Sequence, residues 1–269
     1  MQTFDPSTST HQAPSSVWAV VLSRAGSKRL PNKAMRPLHG RPMASWVFDA
    51  LSACNGLTRR SVFTDDNALL DLLGRNFPDF CIPTFERPPA LSRDTTTSIE
   101  TLRYFLNFWP LEALPPWVML CQCTSPLVQT GDYQAAIKLA STLPEGSQDH
   151  CIISVSPPAK PMNWLFQEAA DGTLHRYGSG DSSATHGTTY FPNGAFYVFP
   201  TALIYNAPPD FSWMTIPHIH KVVMPWQRSI DIDTYDDFFM AEAMLSTQKT
   251  FNSEKLIAHS PLERRGQAE

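Results

Sequence analysis

A buried strand that breaks into a cationic loop constrains this chain more than any other feature. Residues 17–33 read VWAVVLSRAGSKRLPNK. Trp18 to Leu22 is an apolar run with the length and β-branched content of a strand covered on both faces, as in a parallel sheet. The loop after it holds one glycine, Gly26, and four cations, Arg24, Lys28, Arg29 and Lys33. Pro31 lacks a backbone N–H and fixes φ, so no helix runs through the loop. Pro42 to Leu51 then reads as a helix, with Met43, Val47 and Leu51 along one face. Strand, cationic loop, helix is an arrangement that seats an anion at the mouth of a parallel sheet. The P-loop spacing G-x-x-x-x-G-K-[ST] is absent, as is G-x-G-x-x-G.

The same rhythm continues downstream. Short strands are expected at Arg60–Thr64, Cys81–Phe85, Trp117–Gln122 and Cys151–Val155. Helices are expected at Ala68–Arg75, capped by Asp65 or Asp66, and at Thr97–Phe108 and Asp132–Thr142. Strands alternating with helical patterns predict an α/β fold with a doubly wound, mostly parallel (mixed) sheet. After Ser156 the rhythm changes. Residues 157–192 are proline-containing and turn-rich, the pattern of an excursion from the main sheet. Gly194–Phe199 and Ile219–Met224 return as strands, Ser229–Asp233 reads as a strand end, and Tyr235–Ser246 as a helix. The polar leader 1–16 and the tail 252–269 are expected to be flexible, leaving 17–251 as one domain.

Bulk properties narrow the function. A net charge of −4 argues against a nucleic-acid surface. No apolar run approaches the roughly 20 residues that cross a bilayer, and residues 1–16 have no signal-peptide core, so a cytoplasmic protein is expected. The five cysteines, Cys54, Cys81, Cys121, Cys123 and Cys151, are odd in number and lack zinc-site spacing, which points to buried free thiols.

The string SRAGSKRLPNK resembles the signature loop of the CMP-sugar synthetases, the cytidylyltransferases that activate sialic acid and related nonulosonic acids. That loop runs approximately A-R-x-x-S-K-x-[LI]-P-x-K-N, and Arg24, Ser27, Lys28, Leu30, Pro31 and Lys33 fall in register. Four further segments are similar, in the same order: Arg87-Pro88 with Leu91, Asp94 and Ser98; Gln122 to Leu127, with Cys123 where the family has proline; Asn193-Gly194-Ala195-Phe196-Tyr197; and Asp231-Ile232-Asp233-Thr234.

The resemblance implies a Rossmann-like nucleotidyltransferase fold and CMP transfer from CTP to an acidic sugar, with release of pyrophosphate. It assigns nucleotide binding to Arg24, Ala25, Gly26, Ser27, Lys28, Lys33, Arg87 and Ser98, with Lys33 and Arg24 meeting the charge of the transition state. Gln122 would face the acceptor, and Asn193 and Gly194 would either face it too or shape the turn beneath it. Asp231 and Asp233, two apart on an extended segment, would share Mg²⁺. It further implies a homodimer in which the excursion at 157–192 reaches the neighbouring subunit. No nucleic acid or membrane partner is expected.

One departure lies in the first loop and the other on the acceptor side. Ala34 stands where the family has asparagine, and residues 183–191 carry none of the arginines found there in sialic-acid enzymes. Lys160, Arg176 and His186 are the candidates to replace them. Two other readings compete with a working synthetase: a degenerate relative that binds nucleotide without turnover, and a glycosyltransferase using its D-x-D pair. In glycosyltransferases D-x-D lies mid-chain, whereas here it lies late and accompanies a cationic first loop.

Overall fold

Alternation along the first strand divides the hydrophobic core in two. In the computed structural model, which describes residues 17–83, 86–144, 148–177 and 188–258, β1 (Val17–Leu22) is buried throughout. Val17, Ala19 and Val21 face one cluster, and Trp18, Val20 and Leu22 face the other. This is the period-two pattern of a strand covered on both sides.

After β1 come two short strands, β2 (Pro37–Leu38) and β3 (Arg41–Pro42), which form a hairpin leading into helix α1 (Met43–Ser52). Then follow β4 (Leu57–Phe63), α2 (Asn67–Asn76), α3 (Ser98–Leu106), β5 (Trp117–Gln122), α4 (Thr130–Ala140) and β6 (His150–Ser156). A small hairpin, β7 (Phe166–Glu168) with β8 (Leu174–Arg176), precedes β9 (Phe191–Pro200), α5 (Thr201–Asn206), β10 (His218–Val223) and α6 (Tyr235–Ala258). The main sheet runs β10-β6-β9-β5-β1-β4. All its pairings are parallel except the two made by β9, which runs against both β5 and β6. Side chains of α1, α2 and α4 fill the core on one face, and those of α3 and α5 on the other. The expected doubly wound mixed sheet is therefore what forms.

Three expectations need correction. The described part of Cys81–Phe85, residues 81–83, forms no strand. It contributes a single parallel bridge, Ser61 to Cys81, before Pro83, which has no N–H to continue a ladder; residues 84 and 85 lie outside the described set. Ser229–Asp233 is irregular rather than a strand end: the Ser229 and Ile232 amides donate to the Trp226 and Thr124 carbonyls and the Asp233 amide to Asp237 Oδ2, rather than to a neighbouring strand. Helix α6 continues past Ser246 to Ala258, with no glycine or proline to stop it. The leader 1–16 and the end of the tail, 259–269, lie outside the described residues. Among the described residues no helix is long and apolar enough to cross a membrane.

The hairpin β7–β8 forms its own two-stranded sheet, separate from the main one. It leaves Trp164, Leu165, Phe166, Leu174 and Tyr177 exposed, Trp164 by 63% and Leu174 by 65%. An apolar surface this dense is uncommon on a monomer.

Candidate functional site

The loop after β1 is pinned at its start. The Ser23 amide donates to the Phe63 carbonyl at 3.2 Å, and the Ala25 amide to Asp65 Oδ1 at 2.8 Å. Of the two expected cap residues, Asp66 takes the cap, accepting from Ala68 and Leu69, which leaves Asp65 for the loop. Leu30 is fully buried against Ile232 and Leu127, so the cations beside it are held over the strand ends.

Each cation already has an acidic partner. Asp94 accepts from Arg24 Nη2 and Lys28 Nζ, both at 2.7 Å. Asp233 accepts from Arg29 Nη2 and Lys33 Nζ, also both at 2.7 Å. Lys28 and Lys33 hold Asp94 and Asp233, respectively, below the usual carboxylate range; at Asp233 this attraction, with the charge of Arg29, outweighs an upward push from burial. Lys33 is the most enclosed of the four cations, its side chain 13% exposed.

Asp231 behaves oppositely. Its side chain opens into the cleft, yet the surrounding walls desolvate it and push its carboxyl up. A hydrogen bond with Thr124 and the charge of Lys33 pull it down; Asp233 and Asp237 push it up. Ile232 explains why both acids face the cleft. It is fully buried, its amide donates to the Thr124 carbonyl at 2.8 Å, and the residues on either side turn outward. Arg228, paired with Asp132 on α4, and Ser229, which accepts from Asn193 Nδ2 at 2.9 Å, hold the approach to this segment.

Gly194 sits where only glycine fits. Its φ is +76°, and a Cβ there would come within 3.1 Å of Asp231 Oδ2. The chain bulges at this point: Ser154 Oγ donates to the Phe196 carbonyl at 3.1 Å and accepts from its amide at 3.0 Å.

These elements enclose a cleft of about 630 Å³ at the carboxyl ends of β1 and β5. Arg24, Ser27, Lys28, Arg29, Lys33, Arg87, Ser98, Gln122, Gly194, Asp231 and Asp233 all line it. A second pocket of about 300 Å³ adjoins it, lined by Leu120, Phe199, Phe211 and Trp213. Ser98, Gln122 and Tyr197 line both. Asp231 and Asp233 offer carboxylate oxygens, and a cation beside them would favour the charged form of Asp231 that burial, and to a lesser degree the charge of Asp233, disfavours. The set fits a hard divalent cation completed by phosphate oxygens.

A family model described as cytidylyltransferase matches residues 18–163, more than half of the chain. The chain belongs to the cytidylyltransferase family. It is 25% identical over 248 residues to the CMP-N,N'-diacetyllegionaminic acid synthase of Legionella pneumophila, spanning 90% of this chain and 99% of that one. It is 27% identical over 231 residues to an N-acylneuraminate cytidylyltransferase of Streptococcus agalactiae, across 81% of this chain but 51% of the relative. A similar enzyme of Escherichia coli O18:K1:H7 is 24% identical over 250 residues, 92% of this chain and 55% of the relative. The chain thus spans about half the length of those two. Among solved structures, a CMP:2-keto-3-deoxy-manno-octonic acid synthetase complexed with CTP superposes with a TM-score of 0.61 at 14% identity, covering 86% of this chain and 99% of the other. That likeness shows the fold.

Within this cytidylyltransferase the expected site residues do not all reach the cleft. Ala25 and Gly26 are exposed beside it, outside the lining. Asn193 is buried, and its amide is spent on Ser229, Met224 Sδ and the Ala195 amide, so it braces the Asp231 segment rather than facing the acceptor. Arg87 lines the cleft but is a buried strut, donating to the Ser23 carbonyl at 2.8 Å and the Leu91 carbonyl at 2.7 Å. Burial lowers its pKa. Ser98 opens α3 after the Thr97 cap. Lys160 and Arg176 line neither pocket, and His186 lies outside the described residues with most of the 183–191 segment. Arg29, Arg93, Thr124, Tyr197 and Trp213 were not anticipated as site residues. Thr124 and Tyr197 stand inside motifs already noticed, Gln122 to Leu127 and Asn193 to Tyr197, which was the available signal; Trp213 had none.

Proposed function

We propose that this cytidylyltransferase transfers CMP from CTP to an acidic sugar of the nonulosonic type, with Mg²⁺ held by Asp231 and Asp233. The observation that carries the reading is the ring of four loop cations paired to two acids across one cleft at the strand ends. A triphosphate offers those cations the same charge-assisted hydrogen bonds that Asp94 and Asp233 now supply. The names of the relatives, which activate legionaminic and neuraminic acids, support the acceptor class.

In the reaction an acceptor hydroxyl oxygen bonds to the α-phosphorus while the bond to the pyrophosphate oxygen breaks. Negative charge builds on the phosphate oxygens. Arg24 and Lys28, released from Asp94, hold the leaving pyrophosphate; Lys33, released from Asp233, meets the α-phosphate. Bound divalent metal supplies Lewis-acid neutralisation of the same oxygens. Arg87 fixes the loop that receives the nucleotide, and Ser98 offers its hydroxyl to the cytosine edge. Gln122 and Tyr197, on the boundary of both pockets, orient the acceptor toward the α-phosphate. We further assign residues 17–251 to one catalytic domain and the exposed hairpin within 157–192 to a homodimer contact, which would bury its aromatic surface.

The test is pyrophosphate release from each nucleoside triphosphate against a panel of acidic sugars, with and without Mg²⁺. CTP-specific, acceptor-dependent release is expected. CTP binding without release under any pairing would establish the degenerate reading instead.

A further inference from the structure

At the opposite end of the sheet from the cleft lies a group of imidazoles that the transferase chemistry does not use. His150 and His218 open β6 and β10 and are direct partners in the parallel register. His220, two residues on, shares their face. The His150 ring lies 4.6 Å from that of His218 and 5.2 Å from that of His220. Asp149 completes the group, its Oδ1 3.7 Å from His150 Nε2 and its Oδ2 3.8 Å from His218 Nε2.

We propose that Asp149, His150 and His218 form a binding site for a late first-row divalent cation such as Zn²⁺. One ligand atom from each lies within 4.8 Å of the other two. The edge of a zinc tetrahedron with ligands at about 2.0–2.1 Å is roughly 3.3 Å, so the ligand atoms need draw together by no more than about 1.5 Å to close the set. Two imidazoles and a carboxylate select zinc-like ions, whereas the carboxylates of the cleft select hard ones. The partner behind the ligands is also present. His150 Nδ1 lies 2.9 Å from His220 Nε2. If Nδ1 carries the proton and donates, the lone pair of His150 is left on Nε2, facing Asp149. Metal-binding histidines are oriented in this way by a hydrogen bond on the far nitrogen. His150 is largely enclosed at 17% exposure, while His218 and Asp149 are open at 56% and 54%, giving an ion an entry path and room for water as the fourth ligand.

The site's place in the fold gives it a consequence. Strand β10 is the outermost strand of the sheet, held on one side only, and the chain beyond it carries Asp231 and Asp233. An ion shared between β6 and β10 ties that edge strand down at its first residue.

The experiment is Zn²⁺ titration of chelator-stripped protein against a chromophoric competitor, with excess Mg²⁺ to occupy the acidic cleft. One equivalent should bind, and Zn²⁺ should raise the thermal unfolding midpoint. His218→Ala should weaken binding at least tenfold and abolish the thermal shift, with nucleotidyl transfer in Mg²⁺ unchanged. His220→Ala should weaken binding by about 10–100-fold, the scale for losing an orienting partner. His218→Gln, which keeps a polar side chain on the strand, is the second variant if the alanine form does not fold, and Co²⁺ ligand-field absorption is its readout. Absence of Zn²⁺ uptake by the wild type, or uptake unchanged in both His218 variants, overturns the proposal.

Discussion

The two adjoining pockets are built by different means. The larger is walled by charge, and the segments that carry the charges are fixed by hydrogen bonds that involve backbone: Ala25 to Asp65, Arg87 to Ser23 and Leu91, Ile232 to Thr124. The smaller is walled by aromatic and aliphatic side chains, with Trp213 against Tyr197 at 5.7 Å between centroids. A triphosphate presents fixed charges, so its pocket needs donors at set positions. An acceptor sugar presents hydroxyls and ring faces, which a repackable apolar wall can fit in several ways. On the proposed reading, in which the charged pocket takes the nucleotide and the apolar one the acceptor, polar pins fix the first half while the second is open to change.

The largest expected effect tests the charged side. Replacing both Asp231 and Asp233 with asparagine should abolish Mg²⁺-dependent turnover and leave a folded protein. Those substitutions remove the hard donors and spare Ile232, which carries the packing. Steady-state pyrophosphate release and circular dichroism read the two halves of that statement. Full activity, or undiminished wild-type activity in excess EDTA, breaks the metal assignment.

The next effect tests the acceptor side. Residues 183–191 supply hydroxyls and one imidazole where sialic-acid enzymes supply guanidinium groups, and Lys160 and Arg176 do not line the pockets. A guanidinium–carboxylate hydrogen bond is worth about 1.5–3 kcal/mol, so the absence of two weakens affinity by roughly 10²–10⁴. N-acetylneuraminate should accordingly be a poor substrate while CTP binds normally. A kcat/KM for it of about 10⁴ M⁻¹s⁻¹ or more would show that other residues hold its carboxylate.

Lys33→Ala comes third. Loss of one transition-state donor lowers kcat by about 10²–10³. The exchange of partners adds a second expectation. Asp233, freed of Lys33, keeps Arg29, so the fold should survive. Near-normal turnover would remove Lys33 from the α-phosphate.

How much of this the sequence revealed follows the same division. The cationic loop was legible because it is local, an apolar strand followed by charges at fixed spacing, whereas the D-I-D segment was read through the family resemblance and its buried Ile232 emerged only with the fold. Gly194 was legible as part of a motif, though its reason, the approach of Asp231 from 37 positions downstream, needs the fold. The pairing of Lys33 with Asp233 spans 200 residues, and no local pattern encodes a contact of that separation. Asn193 had two readings, acceptor contact or turn shaping, because an amide at a strand turn serves either a ligand or a neighbouring hydroxyl; its burial and its bond to Ser229 favour the second. Cys81–Phe85 looked like a strand by composition, but among its described residues, 81–83, there is one bridge at Cys81, and Pro83 has no N–H to add to a ladder. Phe211 and Trp213 were missed because aromatic residues between elements carry no periodicity, and only the packing of α3, β5 and β9 beside them makes a pocket.

The smallest expected effect bears directly on the apolar wall. Trp213 contributes a face to the smaller pocket and packs on Tyr197, which borders both pockets. Trp213→Ala removes apolar contact with the acceptor without touching any group that faces the triphosphate. Differences of this kind in a hydrophobic pocket are worth about 1–3 kcal/mol, or roughly 10–200-fold. Because the residue is only partly enclosed, the lower end applies, and the KM for the acceptor should rise about tenfold. The KM for CTP should stay within about twofold, since the charged walls are pinned independently of Trp213. Phe199, on the same wall but buried in the core, is the wrong place to make this test, because its truncation would disturb folding at about 3–5 kcal/mol. If Trp213→Ala instead raises both KM values together, the two pockets are mechanically one, and the distinction between a rigid nucleotide half and an adaptable acceptor half fails.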